Sequence, residues 1–118
     1  MKTQIKRFLG RIFGKKRQIL RFDDPLRCYE AIADALNHAV NDKWKTIYLE
    51  ALLDGASIDM LITYEKSSGE MGSISYVPML ARYFYELAKL VSTPEKGLYK
   101  RCDFVLKNDG SFDVKFEY

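Results

Sequence analysis

Residues 43–66 read KWKTIYLEALLDGASIDMLITYEK, and the fold turns on whether this stretch is helix or sheet. Asp54-Gly55 lies near its middle, a dipeptide that favours a tight turn, and no proline interrupts either side. After that turn Ile58, Met60, Ile62 and Tyr64 alternate with Ser57, Asp59, Thr63 and Glu65, a period of two that sets one group against a core and the other toward water. The arm before the turn is more apolar, with Trp44, Ile47, Tyr48, Leu49, Ala51, Leu52 and Leu53, as expected of an interior strand covered on part of both sides. The stretch therefore predicts an antiparallel hairpin. It carries no reactive constellation, so function has to be sought on the surfaces this scaffold presents.

Upstream, Asp23-Asp24-Pro25 is a helix start signal, an acidic cap followed by proline at the first helical position. Leu26, Tyr29, Ile32, Ala33, Leu36 and Val40 then recur at helical spacing as far as Asn41-Asp42. Downstream, Ser67 to Gly72 is a turn-rich loop whose glycines lack the lysine-serine ending of a phosphate cradle, and Ser73 to Val77 reads as a short third strand. Pro78 opens a second helix with the core stripe Leu80, Tyr83, Phe84, Leu87, Ala88 and Val91, which ends before Pro94. A final hairpin runs from Leu98 to Lys107 and from Ser111 to Tyr118 through Asn108-Asp109-Gly110. The order α-β-β-β-α-β-β predicts an α+β fold, an antiparallel sheet of about five strands with both helices packed on one face. The other face would then carry Glu50, Asp59, Thr63, Glu65, Asp103, Asp113 and Glu117, relieved by Lys107 and Lys115, a predominantly acidic wall.

At 118 residues and 47% hydrophobic the chain is one domain in size and can bury roughly two-thirds of its unfolded surface. Its apolar runs fall short of the roughly 20 residues that a membrane span needs. Cys28 and Cys102 are far apart and have no Cys-x-x-Cys or histidine spacing, so they read as reduced core thiols of a cytosolic protein, with no metal and no cofactor. His38, the only histidine, has no second ligand or activated nucleophile beside it in sequence. The carboxylates are scattered, which argues against an enzyme and against a small-molecule substrate.

The net charge of +3 conceals an asymmetry. Residues 1–21 hold eight Lys/Arg and no acidic residue, whereas the remainder carries 11 Lys/Arg against 16 Asp/Glu, or −5. Residues 1–22 thus form a basic arm on an acidic domain spanning 23–118. In the arm Ile5, Phe8, Leu9, Ile12 and Phe13 fall on one helical stripe with Lys6, Arg7 and Arg11 off it, which predicts a basic amphipathic N-terminal helix that Gly10 and Gly14 weaken. Such a helix can dock on its own domain or on a partner, lie on an anionic membrane surface, or hold nucleic acid. Its Arg-rich, acid-free pattern is also that of an organellar presequence.

Trp44-x-x-Ile47-Tyr48-Leu49-x-Ala51, Tyr64 at the end of the second strand, and Phe104-x-Leu106-x-x-x-Gly110-x-Phe112-x-x-x-Phe116-x-Tyr118 resemble the YezG-like family of bacterial immunity proteins over about residues 26–118. The resemblance rests on core and turn positions and transfers no functional residue. It implies a small cytoplasmic protein that binds and neutralises the toxic C-terminal domain, often a nuclease, of a polymorphic or contact-dependent bacterial toxin. An acidic surface opposing a nuclease's cationic groups would gain encounter rate and selectivity, so Glu50, Asp59, Glu65, Asp103, Asp113 and Glu117 are the candidate partner interface. The alternative is a peripheral adaptor, held by its basic arm to an anionic membrane, on its inner face, or to nucleic acid.

Overall fold

A computed structural model of the chain describes residues 2–8, 24–55 and 57–118. In chain order its elements are β1 (Lys2–Phe8), α1 (Pro25–Ala39), β2 (Trp44–Asp54), β3 (Ser57–Lys66), β4 (Met71–Ile74), α2 (Leu80–Val91), β5 (Arg101–Lys107) and β6 (Ser111–Glu117). The strands form one antiparallel sheet in the order β1-β6-β5-β2-β3-β4. From residue 24 onward the α-β-β-β-α-β-β order and the α+β class stand as the periodicity predicts.

Local chemistry sets the element boundaries. The Asp24 side chain accepts from Leu26 N at 3.0 Å and caps α1, with Pro25 in its first turn. Gly55 and Gly110 take positive φ at the tips of the two hairpins, a conformation that costs an L side chain energy. Asp109 closes the second tip by accepting from Ser111 N at 2.8 Å and Ser111 Oγ at 2.7 Å, and these donors hold its carboxyl below its ordinary range. Pro78 stands just ahead of α2 rather than inside it; Met79, at φ 69, is the capping residue and makes no side-chain cap.

The core lies between the helices and one sheet face. Ile47, Leu49, Ala51 and Leu53 of β2, Ile62 of β3, Cys102, Phe104 and Leu106 of β5, and Phe112, Val114 and Phe116 of β6 are buried there. Against them pack Cys28, Tyr29, Ile32, Ala33 and Leu36 of α1 and Leu80, Phe84, Leu87 and Ala88 of α2. Phe104 sits at the centre, stacked on Phe112 with centroids 5.4 Å apart and meeting Phe84 edge-on at 6.4 Å. The Cys28 thiol donates to the Tyr83 carbonyl at 3.1 Å and ties α1 to α2. Burial pushes that thiol up to about 12, with nearby Glu86 adding to the shift, and raises Cys102 well above its ordinary value.

Two expectations are corrected. The basic amphipathic helix expected across residues 1–22 is not what Lys2–Phe8 forms: this segment is β1, an edge strand in register with β6 from Lys2↔Glu117 to Phe8↔Ser111. The physical reason is long-range. Without β1, β6 would leave a row of unpaired backbone donors and acceptors, and pairing satisfies them where a lone glycine-flanked helix would gain little. The rest of that expectation falls on residues 9–23, outside the described ones. Second, β2 is interior to the sheet but is covered on one face only: Tyr48 and Leu52 lie on the uncovered side, 40% and 43% exposed.

Candidate partner interface

The face opposite the helices follows from strand parity. In β2 the residues between buried Ile47, Leu49, Ala51 and Leu53 are Tyr48, Glu50 and Leu52. In β3 they are Asp59, Leu61, Thr63 and Glu65; in β5 Arg101, Asp103, Val105 and Lys107; in β6 Asp113, Lys115 and Glu117. Register then aligns them in rows across the sheet. One row runs Glu117, Arg101, Leu52, Asp59; the next Lys115, Asp103, Glu50, Leu61; the third Asp113, Val105, Tyr48, Thr63. All six carboxylates expected on this face are on it, and so are Thr63, Lys107 and Lys115.

They do not form a uniform wall. Arg101 stands between two of them, with Nη2 donating to Glu50 Oε2 at 2.8 Å and Nε to Asp103 Oδ1 at 3.0 Å. Hydrogen bonding and charge from Asp103, with Glu50 and Glu117 contributing, raise the guanidinium above its usual range. The β5–β2 part of the face is therefore ion-paired; of the carboxylates outside that cluster, Asp59 and Glu65 lie on β3, while Asp113 and Glu117 of β6 stand in register with Lys6 and Lys2 of β1. Oδ1 of Asp113 is shielded and has no hydrogen-bond partner among the described residues.

Beside the ion pairs runs an apolar strip. Tyr48, Leu61 and Val105 line an open concavity of about 320 Å³ together with Glu50, Thr63, Asp103, Asp113 and Lys115. Leu61 is 61% exposed and Leu52 extends the strip along β2. The sequence reading missed Arg101, Leu61 and the exposure of Tyr48 and Leu52. Parity carried the signal: Arg101 precedes buried Cys102, and Tyr48 and Leu52 are out of phase with Ile47, Leu49 and Leu53. The apolar character of both phases of β2 hid it.

Other candidate sites stay unassembled. His38 lies near the end of α1, where Nδ1 donates to the Asp34 carbonyl at 2.8 Å. Among the described residues no group of three His, Cys, Asp or Glu side chains could hold a metal ion, and no helix is long and apolar enough to cross a membrane. Fold and face together define the class as an α+β sandwich, two helices over one antiparallel sheet whose second face carries an exposed apolar strip beside an ion-paired cluster, with Asp59 and Glu65 toward the β3 side. No protein-family model matches the chain, and no curated protein does.

Proposed function

We propose that this chain is an immunity protein, one that binds the toxic C-terminal domain of a cognate polymorphic toxin in the cytosol and blocks it by occlusion, supplying no catalytic group of its own. The observation that carries the reading is the uncovered sheet face, where exposed Leu61, Tyr48 and Leu52 adjoin six carboxylates. An exposed apolar strip beside charged groups suits a protein-binding surface: the strip contributes desolvation, the charges steer the encounter. On the β3 side the carboxylates Asp59 and Glu65 favour a cationic partner. A nuclease has such a surface because it must hold phosphates. The resemblance to the YezG-like immunity family points the same way.

The test titrates the purified chain against the C-terminal domain of any secreted toxin found in the neighbouring reading frame, with nuclease activity read in parallel. Tight binding with loss of nuclease activity is expected. Reversal of Asp59, Glu65 and Glu117 to lysine is expected to slow association by about tenfold or more at low salt; Asp113 is left intact because one of its oxygens is shielded. Affinity and rate unchanged by the reversals would remove the sheet face as the interface, and a nuclease left fully active by the chain would end the immunity reading.

A further inference from the structure

Strand β3 is longer than the strand that covers its edge. It runs from Ser57 to Lys66, but β4 pairs only with Ile62 to Glu65. Beyond Ile74 the chain leaves the sheet because Val77 is drawn into the core and Pro78 has no N–H to give. Among the described residues, Ser57 to Leu61 is left as an open edge about 17 Å long. The hairpin bond from Lys66 N to the Glu70 carbonyl, 2.7 Å, fixes which residues face outward. Lys66, Tyr64 and Ile62 turn their backbone groups toward β4, and by strict alternation so do Met60 and Ile58, where no β4 residue stands opposite. No backbone or side-chain hydrogen bond of the described residues outside the sheet ladders reaches Ile58 or Met60. Two outward N–H groups and two outward carbonyls are thus presented in a row.

We propose that this edge receives an extended segment of a cationic protein partner as an added antiparallel strand, with a lysine or arginine of that segment opposite Asp59. The inference rests on the immunity reading for the nature of the partner and adds the element by which the partner is held. Charge decides the occupant. If two copies of this chain paired through the outward groups of Ile58 and Met60, Ile58 of each would oppose Met60 of the other, and the two Asp59 carboxylates would stand directly across from one another. Like charges at that position disfavour pairing, the device by which open edges avoid self-association. A basic residue at the same place turns the repulsion into attraction. The edge is also continuous with the interface: Leu61, at its end, is the most exposed apolar residue of the uncovered face, and Asp59 is one of its marginal carboxylates. Main-chain bonds hold such a strand and the alternate side chains select it.

The full chain, ¹⁵N-labelled, is titrated with a seven-residue capped peptide of alternating valine and lysine and with its valine-glutamate counterpart. The lysine peptide is expected to shift the Ile58 and Met60 amides and slow their hydrogen exchange, at least tenfold more tightly than the glutamate peptide. Asp59→Lys is expected to invert that preference; Met60→Pro, which removes one outward N–H, is expected to abolish binding. Undisturbed Ile58 and Met60 amides at millimolar peptide, equal response to both peptides, or a dimer that Met60→Pro dissolves would each overturn the proposal. The peptide assay needs no toxin, so it stands or falls apart from the immunity reading. Toxin binding that survives both variants would refute the edge and leave that reading in place.

Discussion

Tyr99 joins the last hairpin to α2, and removing its hydroxyl should produce a pH-dependent loss of stability whose shape can be worked out. The ring is 1% exposed and stacks on Phe116 with centroids 5.3 Å apart, while the O–H donates to the Phe84 carbonyl inside α2. Tyr99→Phe keeps the stack and deletes one buried hydrogen bond, which costs about 1–1.5 kcal/mol at pH 7. For a chain of this length that lowers Tm by about 4–6 °C. Burial raises the Tyr99 pKa above its ordinary value of 10.0, so the native state keeps the proton while the unfolded chain releases it. A raised native pKa gives stability that is complete below pH 10 and drains away above it. At pH 10.5 the unfolded chain gains about 0.8 kcal/mol from ionising this phenol, a gain the phenylalanine variant lacks. The wild-type advantage should therefore shrink to less than half by pH 10.5. Urea unfolding of both proteins at pH 7, 9 and 10.5 measures the difference and cancels the groups they share. A gap that stays constant or widens with pH would mean that Tyr99 titrates in the folded protein and is not buried against α2.

Three further outcomes are expected. Cys28 and Cys102, both buried with raised pKa, should resist iodoacetamide at pH 8 in the native protein and react in guanidinium, as mass spectrometry would report; the thiols also make stability decline as pH rises from 9 toward 12. Ile62→Ala should cost about 2–4 kcal/mol and the adjacent Leu61→Ala no more than about 0.5 kcal/mol in denaturant titrations, because one side chain is 2% exposed and the other 61%. Met79→Gly should raise stability by about 1 kcal/mol by thermal unfolding, since φ 69 strains a methionine and not a glycine.

How far the molecule was legible in its residues depends on the range of the interaction. The two hairpins were readable because alternation in Ile58 to Tyr64 and the turns at Asp54-Gly55 and Asp109-Gly110 are local features, each fixed by a few neighbouring side chains. The helices were readable for the same reason: Asp24 and Pro25 mark one start, and the stripe from Leu80 to Ala88 has a single buried face. The candidate carboxylates were placed on the correct face by parity alone. Their surroundings were not, because Arg101 reaches Glu50 across 51 positions of sequence and nothing local announces it.

What the residues determined by themselves is the identity of each element from α1 onward and, in the alternating strands β3, β5 and β6, which side meets the core, since both follow from side-chain periodicity. Tertiary structure alone decided the lateral order, with β5 inserted between β6 and β2, and it turned Lys2–Phe8 from an expected helix into the strand that closes the β6 edge. It also decided that β4 stops short, so that among the described residues Ser57 to Leu61 pair with β2 alone. Lateral pairing is settled by backbone hydrogen bonds, which every sequence possesses alike, and by packing between residues far apart in the chain. Neither leaves a local pattern to read.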